Sequence, residues 1–109
     1  MLTTFNIGLN NNPKTYDEIL DLVSRLTKTQ FIQHRLDKGE YKGDTEPTII
    51  IVVDMEDYVG LDLVAERLCE RLTQECISYK NAKESNLVYH PNYRGSKFNF
   101  NDDYFLDYE

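Results

Sequence analysis

The spacing of apolar residues changes character several times along this chain, and each change predicts an element. Phe5, Ile7 and Leu9 alternate with polar or small residues over Thr3–Leu9, the two-residue period of a half-buried strand, which Asn10-Asn11-Asn12-Pro13 then ends. Ile19, Leu22, Val23 and Leu26 recur at spacings of three and four, as on one face of a helix. Thr15 and Glu18 ahead of that stripe form a capping-box pattern, in which each side chain can accept from the other residue's amide. Arg25 and Lys28 lie at the far end, where cations suit the helix dipole.

Residues 31–42 read as a polar extended segment with Phe31, Ile32, Leu36 and Tyr41 among charges, and Gly39 marks a bulge or kink within it. Gly43-Asp44-Thr45-Glu46-Pro47 is turn chemistry, so this segment forms a hairpin with the apolar run beyond the turn and is the outer member. Arg35, Lys38 and Lys42 then guard an exposed edge. That apolar run, Ile49-Ile50-Ile51-Val52-Val53, has no alternation and stops at Asp54. Such a run predicts an inner strand that is dry on both faces.

Helical spacing returns with Leu61, Val64, Ala65, Leu68 and Leu72, and alternation with Glu75–Lys80. Residues 81–86 read as a loop, and Leu87-Val88-Tyr89-His90 as a short extended piece before Pro91. The Glu66/Glu70 and Arg67/Arg71 pairs are like-charged at i,i+4, so packing and not local charge must hold the second helix.

Strand, helix, strand, strand, helix, strand is the split βαβ order of a ferredoxin-like α+β fold, an antiparallel sheet with two helices on one face. The expected division is a domain over residues 1–97 and an acidic aromatic arm over 98–109. A sheet covered by helices on one side leaves the Ile/Val run wet on the other, so a second cover is expected, either a partner chain or the C-terminal segment.

Phe5-Asn6-Ile7-Gly8-Leu9-Asn10, Gly39-Glu40-Tyr41-Lys42-Gly43 and Leu72-Thr73-Gln74-Glu75-Cys76-Ile77 resemble segments of a group of small bacterial and phage proteins of unassigned function. The resemblance spans most of the chain up to Lys80; Thr73, Cys76 and the C-terminal extension depart from the group's pattern. It implies a ferredoxin-like domain and a phage or bacterial source, and it carries no activity.

Composition narrows the function classes. The formal net charge of −7 repels polyphosphate, which argues against non-specific nucleic-acid binding. Much of that charge is late: Asp102, Asp103, Asp107 and Glu109 stand in the last twelve residues without a base. No apolar run approaches the roughly 18 residues of a membrane span, and the N-terminus shows no leader pattern, so a cytoplasmic protein without membrane association is expected. Cys69 and Cys76 form neither a disulfide framework nor a CxxC site.

Three groups of residues carry candidate chemistry. Asp54, Glu56 and Asp57 come after the Ile/Val strand as hard oxygen donors, suited to a divalent metal in a hydrolase or to a plain acidic loop capping the second helix. His34, His90, Cys69 and Cys76 have zinc-ligand chemistry without zinc-ligand spacing. Tyr89, His90, Tyr93, Arg94 and Lys97 gather rings and cations suited to a small nucleotide or another anion.

In the arm, Phe98, Phe100, Tyr104, Phe105 and Tyr108 are interleaved with acids. They suit an arm completing the domain's own core, one docking on a neighbouring copy, or a peptide binding a basic host protein. The leading expectation is a non-enzymatic binding protein without a cofactor, a homodimer or larger assembly, phage-encoded and acting by sequestering or blocking a host component. Nucleotide binding by residues 89–97 and metal-dependent hydrolysis are the alternatives.

Overall fold

The computed structural model describes residues 2–10, 12–28, 31–41, 43–54 and 60–93. The elements in chain order are β1 (Leu2–Gly8), α1 (Tyr16–Thr27), β2 (Phe31–Tyr41), β3 (Asp44–Asp54), α2 (Leu61–Leu72), β4 (Cys76–Lys80) and β5 (Ser85–Tyr89). They build an antiparallel sheet in the order β2-β3-β1-β4-β5, the ferredoxin-like arrangement with one further strand outside β4. That strand is longer than the sequence suggests: Ser85 and Asn86, expected in the loop, pair with Lys80 and Tyr79.

The capping box forms as expected. The Glu18 amide donates to Thr15 Oγ1 at 3.3 Å and the Thr15 amide donates to Glu18 Oε1 at 3.0 Å. Hydrogen bonds to the charged form, first from the Thr15 backbone, hold the Glu18 carboxyl below its ordinary pKa. Beyond the cap, Ile19, Leu22 and Val23 from α1 meet Val64, Ala65, Leu68 and Leu72 from α2 over one face of the sheet. Phe5, Ile7, Ile77 and Tyr79 complete this core.

The Ile/Val run lies in β3, between β2 and β1. Ile49, Ile51 and Val53 belong to the helix-side core, whereas Ile50 and Val52 point to the opposite face and are nevertheless only 0% and 6% exposed. Both flanks are therefore dry, and they are dry within a single chain. A partner chain is not needed to account for the pattern of this strand.

β2 is the outer strand, and its register with β3 slips between Phe31 and Gln33. The irregularity expected at Gly39 is thus found at the start of the strand. Gly39 pairs in regular register with Glu46, and a side chain there would run into Thr48. Close packing across the pair explains the glycine.

Candidate functional site

Strand direction sorts the chemistry to the two ends of the sheet. Asp54, Leu2, Lys80 and Ser85 lie at one end and Thr48, Gly8, Cys76 and Tyr89 at the other. The first end also receives the first turn of α2, which carries Asp62.

There Asp62, Tyr79, Glu84 and Asn86 meet. Tyr79 alternates inward with Ile77, so its ring is sealed in the core at 1% exposure and tilts against Phe5 at 6.3 Å. A buried phenol needs a partner for its hydroxyl. It finds Asp62 Oδ1, to which it donates at 2.6 Å, with Glu84 Oε1 at 3.2 Å. The Asn86 amide donates to Asp62 Oδ1 at 3.3 Å and to the Tyr79 oxygen at 3.2 Å.

Burial, and then the hydrogen bond to Asp62, push the Tyr79 pKa well above that of an ordinary tyrosine. The phenol is therefore a fixed donor and not a base. Asp62 and Glu84 remain exposed, which leaves carboxylate oxygen accessible beside a rigid support.

The position of Glu84 depends on a short turn. The amides of Lys83 and Glu84 both donate to Asn81 Oδ1, at 2.9 and 3.0 Å, and the Asn81 amide donates to the Glu84 carbonyl at 2.9 Å. Sequence reasoning missed this network because its members came from a helix, a strand and an apparent loop. The inward phase of Tyr79 was the available signal.

The other end holds part of the expected ligand group. The Tyr89 and Tyr93 rings stack at 4.9 Å, and His90 Nδ1 accepts from the Asn92 amide at 3.0 Å. The His90 amide donates to the Glu75 carbonyl at 2.7 Å, which ties this turn to the start of β4. Arg94 and Lys97 lie outside the described residues, as do Phe98, Phe100, Tyr104, Phe105 and Tyr108.

Close by, the half-buried Glu46 carboxylate accepts from the Asn10 amide at 3.2 Å. Burial raises its pKa, and the neighbouring charge of Glu75 adds to the rise. The Gln74 side chain donates to the Asn10 and Leu72 carbonyls at 3.1 and 3.2 Å, closing this end of the domain.

Of the metal trio, Asp54 is the exposed last residue of β3, while Glu56 and Asp57 lie outside the described residues. Among the described residues no group of three His, Cys, Asp or Glu side chains is placed to hold a metal. The four zinc-type residues do not come together: His34 is on β2 and Cys76 on β4, three strand positions apart, or about 14 Å. His34 Nδ1 lies 2.8 Å from the Tyr16 hydroxyl. Burial pushes the Cys69 thiol up to about 12, so it stays protonated. Among the described residues no helix is long and apolar enough to cross a membrane.

No family model and no curated protein matches the sequence. Among solved structures, the fold is similar to that of a phage SAM lyase in its apo state, with a TM-score of 0.58 and 14% identity. The match covers 85% of this chain and 91% of that one. At this identity the likeness establishes a shared architecture alone.

Proposed function

We propose that this protein takes SAM as its ligand and cleaves it as a lyase. The observation that carries this reading is the likeness to a phage SAM lyase over nearly the whole of both chains. Two features of this chain support it. SAM is a net cation, bearing a sulfonium and an ammonium against one carboxylate, and a chain of formal charge −7 attracts it while repelling nucleoside phosphates. The exposed carboxylates of Asp62 and Glu84 offer a counter-charge at one rigid point.

The chemistry suits these residues. Cleaving a sulfonium C–S bond returns the bonding pair to sulfur and releases a neutral thioether, so the leaving group brings its own activation. The protein has to bind and orient the cation and to take a proton from the carbon next to the one that loses sulfur, so that this C–H pair becomes the new C=C bond of the remaining fragment. Asp62, gripped by the Tyr79 hydroxyl and the Asn86 amide, is the fixed counter-charge. Glu84, borne on the Asn81 turn, is the proton acceptor.

Under this reading the expected non-enzymatic agent that sequesters or blocks a host component gives way to an enzyme that consumes one. What is removed is a small molecule of the host and not one of its proteins.

The test is direct. The purified chain is incubated with SAM and the mixture followed by liquid chromatography. Loss of many equivalents of SAM per chain, with a thioether nucleoside appearing, is the expected result, and Asp62→Asn should slow it at least ~100-fold. Intact SAM together with an unshifted melting temperature in millimolar SAM overturns the proposal.

A further inference from the structure

We infer that the Thr3 hydroxyl is a further substrate contact, donating to the carboxylate of the amino-acid portion of SAM, an inference that rests on the lyase reading.

Thr3 carries a polar atom that the fold leaves unanswered. The residue is 1% exposed, and its Oγ1 has no hydrogen-bond partner among the described residues. A buried hydroxyl in that state costs free energy, whereas valine has nearly the same shape and favours a strand. Buried polar side chains elsewhere are satisfied. Thr27 Oγ1 donates to the Val23 carbonyl at 2.7 Å, and the Gln74 amide donates to the Asn10 and Leu72 carbonyls. The retention of a hydroxyl at Thr3 is explained where a ligand supplies its partner.

Its place in the sheet fits that role. Thr3 pairs with Val53 and is in phase with Phe5 and Ile7, so by alternation its side chain stands on the helix side of β1. Phe5 is directly opposite Tyr79, which makes Thr3 the diagonal neighbour of Tyr79, at about 7–8 Å. Thr3 is thus beside the tyrosine that grips Asp62, at the end of the sheet where α2 begins. The surface is one residue away, at the exposed pair Leu2 and Asp54.

The chemistry assigns the contact. SAM carries two cationic groups and one carboxylate, and the carboxylates of Asp62 and Glu84 can only accept. The SAM carboxylate therefore needs a donor. Tyr79 has given its proton to Asp62, and the Asn86 amide is spent on Asp62 and the Tyr79 oxygen. The Thr3 hydroxyl still has a proton to give, and a hydrogen bond to a charged acceptor is stronger than one to a neutral group.

Steady-state cleavage of SAM by the full chain, with decarboxylated SAM as a competing inhibitor, tests this. Thr3→Val should lower kcat/KM for SAM at least ~10-fold and leave the inhibition constant of the decarboxylated compound within about two-fold. Thr3→Ser keeps the hydroxyl and should restore most of the activity. Thr3→Val should also melt no lower than the parent, because no protein group loses a partner. A lower melting temperature shows that the protein itself holds the hydroxyl and overturns the inference. Equal weakening toward both compounds, or an unchanged kcat/KM for SAM, overturns it too and leaves the lyase reading standing. No cleavage of SAM by the unaltered chain is a different failure, which ends the lyase reading and this inference with it.

Discussion

The Tyr79 hydroxyl, at the tip of a side chain otherwise sealed in the core, donates to the Asp62 carboxylate at 2.6 Å and so joins β4 to the first turn of α2. Tyr79→Phe keeps the ring and deletes this bond, at an expected cost of about 0.5–1.5 kcal/mol in urea unfolding. A double-mutant cycle with Asp62→Ala should give a coupling of about 0.5 kcal/mol or more. If the network is also the SAM site, Tyr79→Phe should lower turnover more than its small loss of stability explains.

Glu46 makes stability fall as the solution becomes less acidic. Its pKa is raised in the fold by burial, so the native state binds its proton more tightly than the unfolded chain does. Below the unfolded value, about 4.3, the carboxyl is neutral in both states and nothing is lost. As pH climbs through the unfolded and then the folded pKa, stability declines. Glu46→Gln keeps an oxygen for the Asn10 amide and removes the charge facing Glu75. It should match the parent in melts near pH 4 and exceed it at pH 7.

Thr73 ends α2 with φ 53° and ψ 44°, a left-handed conformation that β-branched residues avoid. Its amide caps the helix by donating to the Cys69 carbonyl. Glycine takes this conformation without a clash, and the Thr73 side chain is exposed. Thr73→Gly is expected to stabilise the protein by about 1 kcal/mol, read as a higher denaturation midpoint with unchanged m-value.

The two cysteines should react very differently. Cys69 is fully buried and its thiol is pushed up to about 12 by that burial, with the Cys76 charge second, whereas Cys76 is only half-buried. Thiol reagent at pH 8 should modify Cys76 within minutes and Cys69 only on global unfolding. Mass spectrometry of native and urea-treated protein counts them.

Much of the fold was legible residue by residue. The Thr15/Glu18 box and the stripes of both helices rest on local rules, because caps and periodicity act within a few residues, whereas the turn expected over Gly43–Pro47 ends before Asp44: Asp44, Thr45, Glu46 and Pro47 already belong to β3 and pair with Tyr41, Glu40, Gly39 and Lys38. β5 was harder to read, since Ser85 and Asn86 have turn-like chemistry and become strand only by pairing with Lys80 and Tyr79. The bulge moved from Gly39 to the start of β2 for a similar reason. Register is settled by the partner strand, and there Gly39 makes room for Thr48.

The candidate site was less legible than the fold. The acids after β3 and the tyrosines before Arg94 were singled out by local clustering, yet the network that the fold assembles draws on Asp62, Tyr79, Glu84 and Asn86, spread over twenty-four positions of chain. The sequence by itself determined the two helices, the split βαβ order and a net charge that disfavours polyphosphate. Only the tertiary structure decided which end of the sheet receives Asp62, and that Ile50 and Val52 are dry within one chain. The physical reason is range: periodicity and capping are set by neighbours along the chain, whereas a hydrogen bond from Tyr79 to Asp62 exists only once α2 has packed on the sheet.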